Sequence, residues 1–130
     1  MLWSDRYRIG VPELDGQHMI IFSIFGQIEA ALAAGASPAV ARDILRGLRD
    51  FAQFHLRHEE VLMEQRAYPL VYDHAIEHQK VMEEVELLLE DGTVAALPRA
   101  CSLVSAWFAD HILSEDKKFA EFLLQEQSDR

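Results

Sequence analysis

Apolar side chains recur along this chain at steps of three and four residues, and nowhere in the strict alternation of a strand. From about residue 17 to 34, Ile21, Phe22, Phe25, Ile28 and Leu32 mark one face of a helix. The stretch "AGASP" (Ala34 to Pro38) interrupts it, with Ser37 placed to cap a new helix and Pro38 at its first position. A second run, about 38 to 66, puts Ile44, Leu45, Leu48, Phe51, Ala52, His55, Glu59 and Leu62 on one side. "AYP" (Ala67 to Pro69) is the next break, and Pro69 reads as the start of a third helix over about 69 to 91, through His74, His78, Val81, Val85 and Leu88. Gly92, in "EDGT", takes the position just past its end. The fourth run, about 97 to 126, carries Leu103, Val104, Trp107, Phe108, His111, Ile112 and Phe119. Residues 1–16 read as an irregular arm that ends in the turn-rich "GVPELDG". Four helices of this length, each about 30 Å long, with short joins predict an all-α fold. The expected architecture is an up-down-up-down antiparallel four-helix bundle, a single domain over residues 1–130.

Bulk composition narrows the partners. The 130 residues carry 12 Lys and Arg against 22 Asp and Glu, a formal charge of −10. Such a chain has no basic stripe with which to neutralise phosphates, so nucleic acid and anionic membrane surfaces are poor partners. The same charge favours a monomer. Cys101 is the only cysteine, which rules out an internal disulfide and leads to the expectation of a reducing cytoplasm. The N-terminal "MLWSDRYRIG" lacks the pattern of a signal peptide. Nothing along the chain is expected to reach the roughly 18 apolar residues of a membrane span.

The histidines change the picture. Five of the six fall on faces expected to be buried: His18, His55, His74, His78 and His111. His55 and Glu59 are four apart and stack on one face of the second helix, as do His74 and His78 on the third. Glu60 lies about 100° round from Glu59, and His58 about 60° from the His55 direction, so both diverge toward solvent. In the fourth helix His111 precedes Asp116 by five residues. Five imidazoles and two carboxylates aimed into one small core would be costly without a compensating positive charge. Inward Lys and Arg are too few to supply it. A metal centre does, and imidazole with carboxylate but no thiolate suits iron, manganese, zinc or copper. Seven donors exceed the needs of one ion and divide well between two.

These residues together resemble a known family. Trp3, "IGVPELDGQH" ending in His18, "HLRHEEVLMEQRAYP", "HAIEH" and "HILSED" resemble the hemerythrins, most closely the single-domain bacterial ones. The resemblance implies a non-haem di-iron site that binds O2 reversibly, as in oxygen storage, transport or delivery. It implies that His74, His78 and His111 hold one iron and His18 and His55 the other. Glu59 and Asp116 would bridge the two Fe ions together with an oxo or hydroxo group. Leu56 departs from the family pattern, which usually has Phe after the second helix's first ligand, and His58 is an extra titratable group beside the site. The five-residue step to Asp116 places it about 140° from His111 on an ideal helix, so a distortion near Ser114 is expected.

Two carboxylates and one hydroxide leave a pair of ferrous ions with residual positive charge, which suits O2 binding without cleavage. Such a site must be kept dry, and Ile21, Phe22, Phe25, Phe51, Leu62, Trp107 and Phe108 are the expected apolar wall around the O2 ligand. The reading is a binding protein and not an enzyme, with an O2-consuming or signalling protein as a further partner. Two alternatives stay open: an O2 or redox sensor acting through a separate partner, and a di-iron oxidase or peroxidase drawing on Tyr68, Tyr72 or Trp107.

Overall fold

A computed structural model of the chain describes residues 3–91 and 93–128. Among these residues there is no strand, and the helices form a four-helix bundle. After a 3₁₀ turn at Asp5–Tyr7, helix α1 runs Pro12–Ala34, α2 Pro38–Gln65 and α3 Val71–Asp91. The fourth rod, α4, covers 96–128 and changes winding along its length. Ala96–Leu103, Ala109–His111 and Lys117–Ser128 are α-helical, while Val104–Phe108 and Ile112–Asp116 are π-turns. α1 packs on α2, α2 on α3, and the start of α4 against α1, α2 and α3.

The breaks obey local chemistry, with two shifts from expectation. Ser37 Oγ accepts from the Val40 amide at 3.4 Å and Pro38 opens α2, as its sequence requires. α1 ends on Gly35, whose φ of 64° is the left-handed state that glycine adopts most cheaply. α1 begins at Pro12, however, so the arm is shorter than expected and "PELDG" is helical. Pro12 fits a first helical position, and Glu13 and Asp15 in the first turn favour the positive end of the helix dipole. α3 begins at Val71, leaving Pro69 in the preceding turn. There Ala67 takes a left-handed φ of 51°, and the Tyr68 amide returns to the Met63 carbonyl at 2.9 Å. The expected Gly92 terminus lies outside the described residues.

α1 also corrects the expectation about membrane spans: at 23 residues, with a mean hydropathy of 1.2, it is long and apolar enough to cross one. Its large apolar residues and alanines, with only Glu13, Asp15 and Glu29 charged among them, keep the hydropathy high. In this structure that apolarity serves the bundle, since Leu14, Ile21 and Ile28 are fully buried within it.

Buried apolar residues form two layers. One contains Ile21, Phe25, Leu45, Val81, Val104 and Phe108; the other contains Tyr7, Leu14, Phe22, Met63, Ile112 and Phe119. The expected inward residues Phe51 and Leu62 are only half-buried, because α2 is rotated so that Ala52, His55, Leu56, Glu59 and Met63 face in. Between the layers, each rod contributes polar side chains: His18 between Leu14 and Ile21, Glu59 between Leu56 and Met63, His111 between Phe108 and Ile112.

Candidate metal centre

His18, His55, Glu59, His74, His78, His111 and Asp116 are all buried, none more than 4% exposed. The bundle brings them together as two groups. Glu59, His74, His78 and His111 offer donor atoms within 4.8 Å of one another, and so do His18, His55, Glu59 and Asp116. Glu59 belongs to both. Its Oε1 lies 3.4 Å from His78 Nε2 and 3.6 Å from His74 Nδ1, while its Oε2 lies 3.4 Å from His55 Nε2. Asp116 spans the groups in the same way, with Oδ1 at 3.2 Å from His111 Nε2 and Oδ2 at 3.2 Å from His18 Nε2.

The spacing along α4 explains how Asp116 arrives there. A π-turn stacks residues five apart, where an α-helix would set them about 140° from each other. The π-turn Ile112–Asp116 follows His111 directly and turns the carboxylate to the side of the imidazole. The expected distortion near Ser114 is this turn, and the Ser114 hydroxyl donates to the Asp110 carbonyl at 2.8 Å within it.

Hydrogen bonding makes the group fit a cation. His78 Nδ1 faces Glu60 Oε2 at 3.1 Å, and His111 Nδ1 faces Glu77 Oε2 at 3.1 Å. A carboxylate accepts only, so each Nδ1 carries the proton and each neutral ring presents a lone pair at Nε2. Those two Nε2 atoms stand 3.3 Å apart. Two lone pairs at that distance repel unless a proton or a metal ion lies beside them. Both Glu59 oxygens and both nitrogens of His18 and His74 are buried without a hydrogen-bond partner among the described residues. Orphaned polar atoms in such number are costly. An oxygen- and nitrogen-rich set with no sulfur suits iron, manganese or zinc, so the residues fit a resident metal.

Before any cation binds, protons play its part. Burial works against charge on His111, yet the Asp116 hydrogen bond and charge, with Glu59 and Glu77, push its pKa up to about 9. Burial likewise opposes the charged form of His78, and Glu59 with Glu60 still raises it. At His55 burial wins, and its pKa falls to about 4. Burial alone would raise Asp116, but the imidazoles of His111 and His18, each 3.2 Å from one of its oxygens, hold it well below the usual carboxylate range.

Around this centre the expected apolar wall divides. Ile21, Phe25 and Phe108 are buried in one layer, with Phe51 and Trp107 half-buried at its edge; Phe22 is buried in the other, with Leu62 at its edge. Trp107 lies flat on His111, ring centroids 4.3 Å apart and planes 12° from parallel. His58 points away, half-exposed, with Nε2 at 3.0 Å from Glu13 Oε2.

Sequence reasoning missed the residues behind the rings. Glu60 and Glu77 back His78 and His111, and Gln17 Oε1 meets His55 Nδ1 at 2.6 Å. All three stand next in sequence to a residue of the site, which is the only signal they leave. Asp15 was missed as well: buried at 3% exposure, it accepts from the Ile9 and Gly10 amides at 2.8 and 3.2 Å and fastens the N-terminal arm to α1.

Comparison with known proteins agrees with this geometry. The family model of the hemerythrin HHE cation binding domain matches residues 9–123. The chain is similar to the bacteriohemerythrin of Clostridium acetobutylicum, 21% identical across 92% of this chain and 98% of that protein. It is similar also to the bacteriohemerythrin of Stenotrophomonas maltophilia, 26% identical across 93% of this chain and 80% of that one. For that of Ralstonia nicotianae the identity is 25%, across 98% and 91%.

Proposed function

Because the chain belongs to the hemerythrin family, we propose that it binds dioxygen reversibly at a pair of non-haem iron ions. His74, His78 and His111 hold one ion, His18 and His55 the other, and Glu59 and Asp116 bridge both. The observation that carries this reading is the placement of the two carboxylates, each with one oxygen toward each histidine group. Two ferrous ions, when held there, supply the electrons on which reversible O2 binding draws.

The protein's own contribution is to hold, orient and keep dry. Glu60, Glu77 and Gln17 fix the rings from behind, so that Nε2 of His78, His111 and His55 is directed inward. Ile21, Phe25 and Phe108, none more than 5% exposed, exclude water from one side, and Phe22, Leu14 and Ile112 from the other. Two carboxylates against five imidazoles leave the ions positively charged, which favours binding without cleavage of O2. The role is storage, carriage or delivery of O2, and not turnover.

The test is spectroscopic. The iron is reduced without air, air is admitted, and the visible spectrum is followed through repeated cycles of vacuum and aeration. A charge-transfer band that fades under vacuum and returns supports a carrier. Rapid, irreversible oxidation would sink it in favour of a di-iron oxidase or a redox sensor.

A further inference from the structure

The imidazoles of the two halves are held from behind by different chemistry. On the three-histidine half the Nδ1 partners of His78 and His111 are the carboxylates of Glu60 and Glu77, each at 3.1 Å, while His74 has no hydrogen-bond partner among the described residues and only the charge of Glu115, 4.0 Å from its Nε2. On the two-histidine half His55 meets the uncharged amide of Gln17 at 2.6 Å, and His18 Nδ1 has no hydrogen-bond partner among the described residues. A carboxylate and an amide oxygen both accept from Nδ1–H, and so both fix the tautomer and the ring. Only the carboxylate adds negative charge, which makes the opposite nitrogen a stronger donor to a cation. Glu60 is well placed to exert it: its side chain is 19% exposed, so water screens its charge only in part.

Resting on the di-iron reading above, we propose that Glu60 and Glu77 are positioning residues that make the His74–His78–His111 half the tighter cation site, leaving the Gln17-backed half the more labile. Three imidazoles against two already favour that half, and the outer carboxylates enlarge the difference. The two ions are therefore lost one after the other.

The full chain, loaded with Fe(II) without air and assayed for iron per chain by mass spectrometry, is exposed to a chelator while release is timed. In the parent, release has a fast and a slow phase. The double variant Glu60→Gln/Glu77→Gln keeps the acceptors and their shape but not their charge. Its slow phase accelerates by up to about 10- to 100-fold, the loss of affinity that removing an outer partner altogether brings. Gln17→Glu slows the fast phase instead. A slow phase left unchanged in the double variant, at undiminished helical circular dichroism, overturns the proposal. If the double variant does not fold, Gln17→Glu decides: a fast phase that does not slow overturns the proposal. A parent that binds no iron removes the di-iron reading itself, whereas a parent that binds two with variants that release like it removes only this inference.

Discussion

His111 and Asp116 are five residues apart, yet Nε2 of one and Oδ1 of the other stand 3.2 Å apart, because the helix between them is wound as a π-turn. The turn acts as a one-residue insertion into α4. Deleting Ser114 should convert it to an α-turn, leaving the carboxylate four residues from His111 and still on its face. Phe119 and the rest of the rod should stay in register. Iron content per chain and the thermal midpoint of the deletion variant check this, and loss of iron with collapse of the midpoint would contradict a π-turn here.

Trp107 lies flat against His111, with centroids 4.3 Å apart. Iron loading is therefore expected to quench much of the protein's tryptophan fluorescence. The second tryptophan, Trp3, packs on Tyr7 and Phe22 in the other layer and should contribute less to the change. Trp107→Phe should remove most of the quenching while iron content holds. Equal quenching in parent and variant would show that the stack is not formed in solution.

Because donor atoms from all four rods converge, cation binding should be linked to folding. An ion that binds only the folded chain adds about 2.7 kcal/mol at a free concentration a hundred times its dissociation constant. Stripping the metal with a chelator should lower the thermal midpoint, and Fe(II) should restore it. Calorimetry that gives the same midpoint with and without metal would argue against a buried centre.

The metal-free protein should be most stable near the ordinary histidine pKa of 6.5. His111, raised to about 9, contributes stability that is complete below 6.5 and is lost as pH rises through 9. His55, lowered to about 4, contributes stability that is complete above 6.5 and is lost as pH falls through 4. Urea midpoints of the stripped protein across that range should fall on both sides of the maximum, with His111→Gln flattening the alkaline limb. A midpoint that climbs steadily toward pH 9 would refute the assignment.

Ala67 holds a left-handed φ of 51° at the end of α2, where glycine carries no penalty. Ala67→Gly should stabilise the fold by about 0.5–1 kcal/mol. The turn also sets Tyr68 against His74, ring centroids 5.8 Å apart, so the gain should come without loss of iron. Chemical denaturation of the loaded protein measures it.

Much of the site was legible in the sequence because the donors share the helical period of the core. His55 and Glu59, and His74 with His78, replace apolar residues at four-residue steps, so a pattern that finds the core finds them too. Gln17, Glu60 and Glu77 resisted the same reading. Each stands one residue from a member of the site and so points about 100° away along its own helix, where a charged or amide side chain looks like ordinary surface. They meet the rings of neighbouring helices, and that proximity depends on how the rods pack.

What the chain determined by itself is the number of helices, most of their ends and the seven polar residues that interrupt the core, since these follow from local period, capping and the cost of burying charge. Tertiary structure decided the rest. The rotation of α2 turned Phe51 and Leu62 toward the edge and Leu56 and Met63 inward, and the packing of α1, α3 and α4 fixed which oxygen of Glu59 and Asp116 meets which ring. Such choices are made by contacts between residues far apart in sequence, and no pattern within one helix contains them.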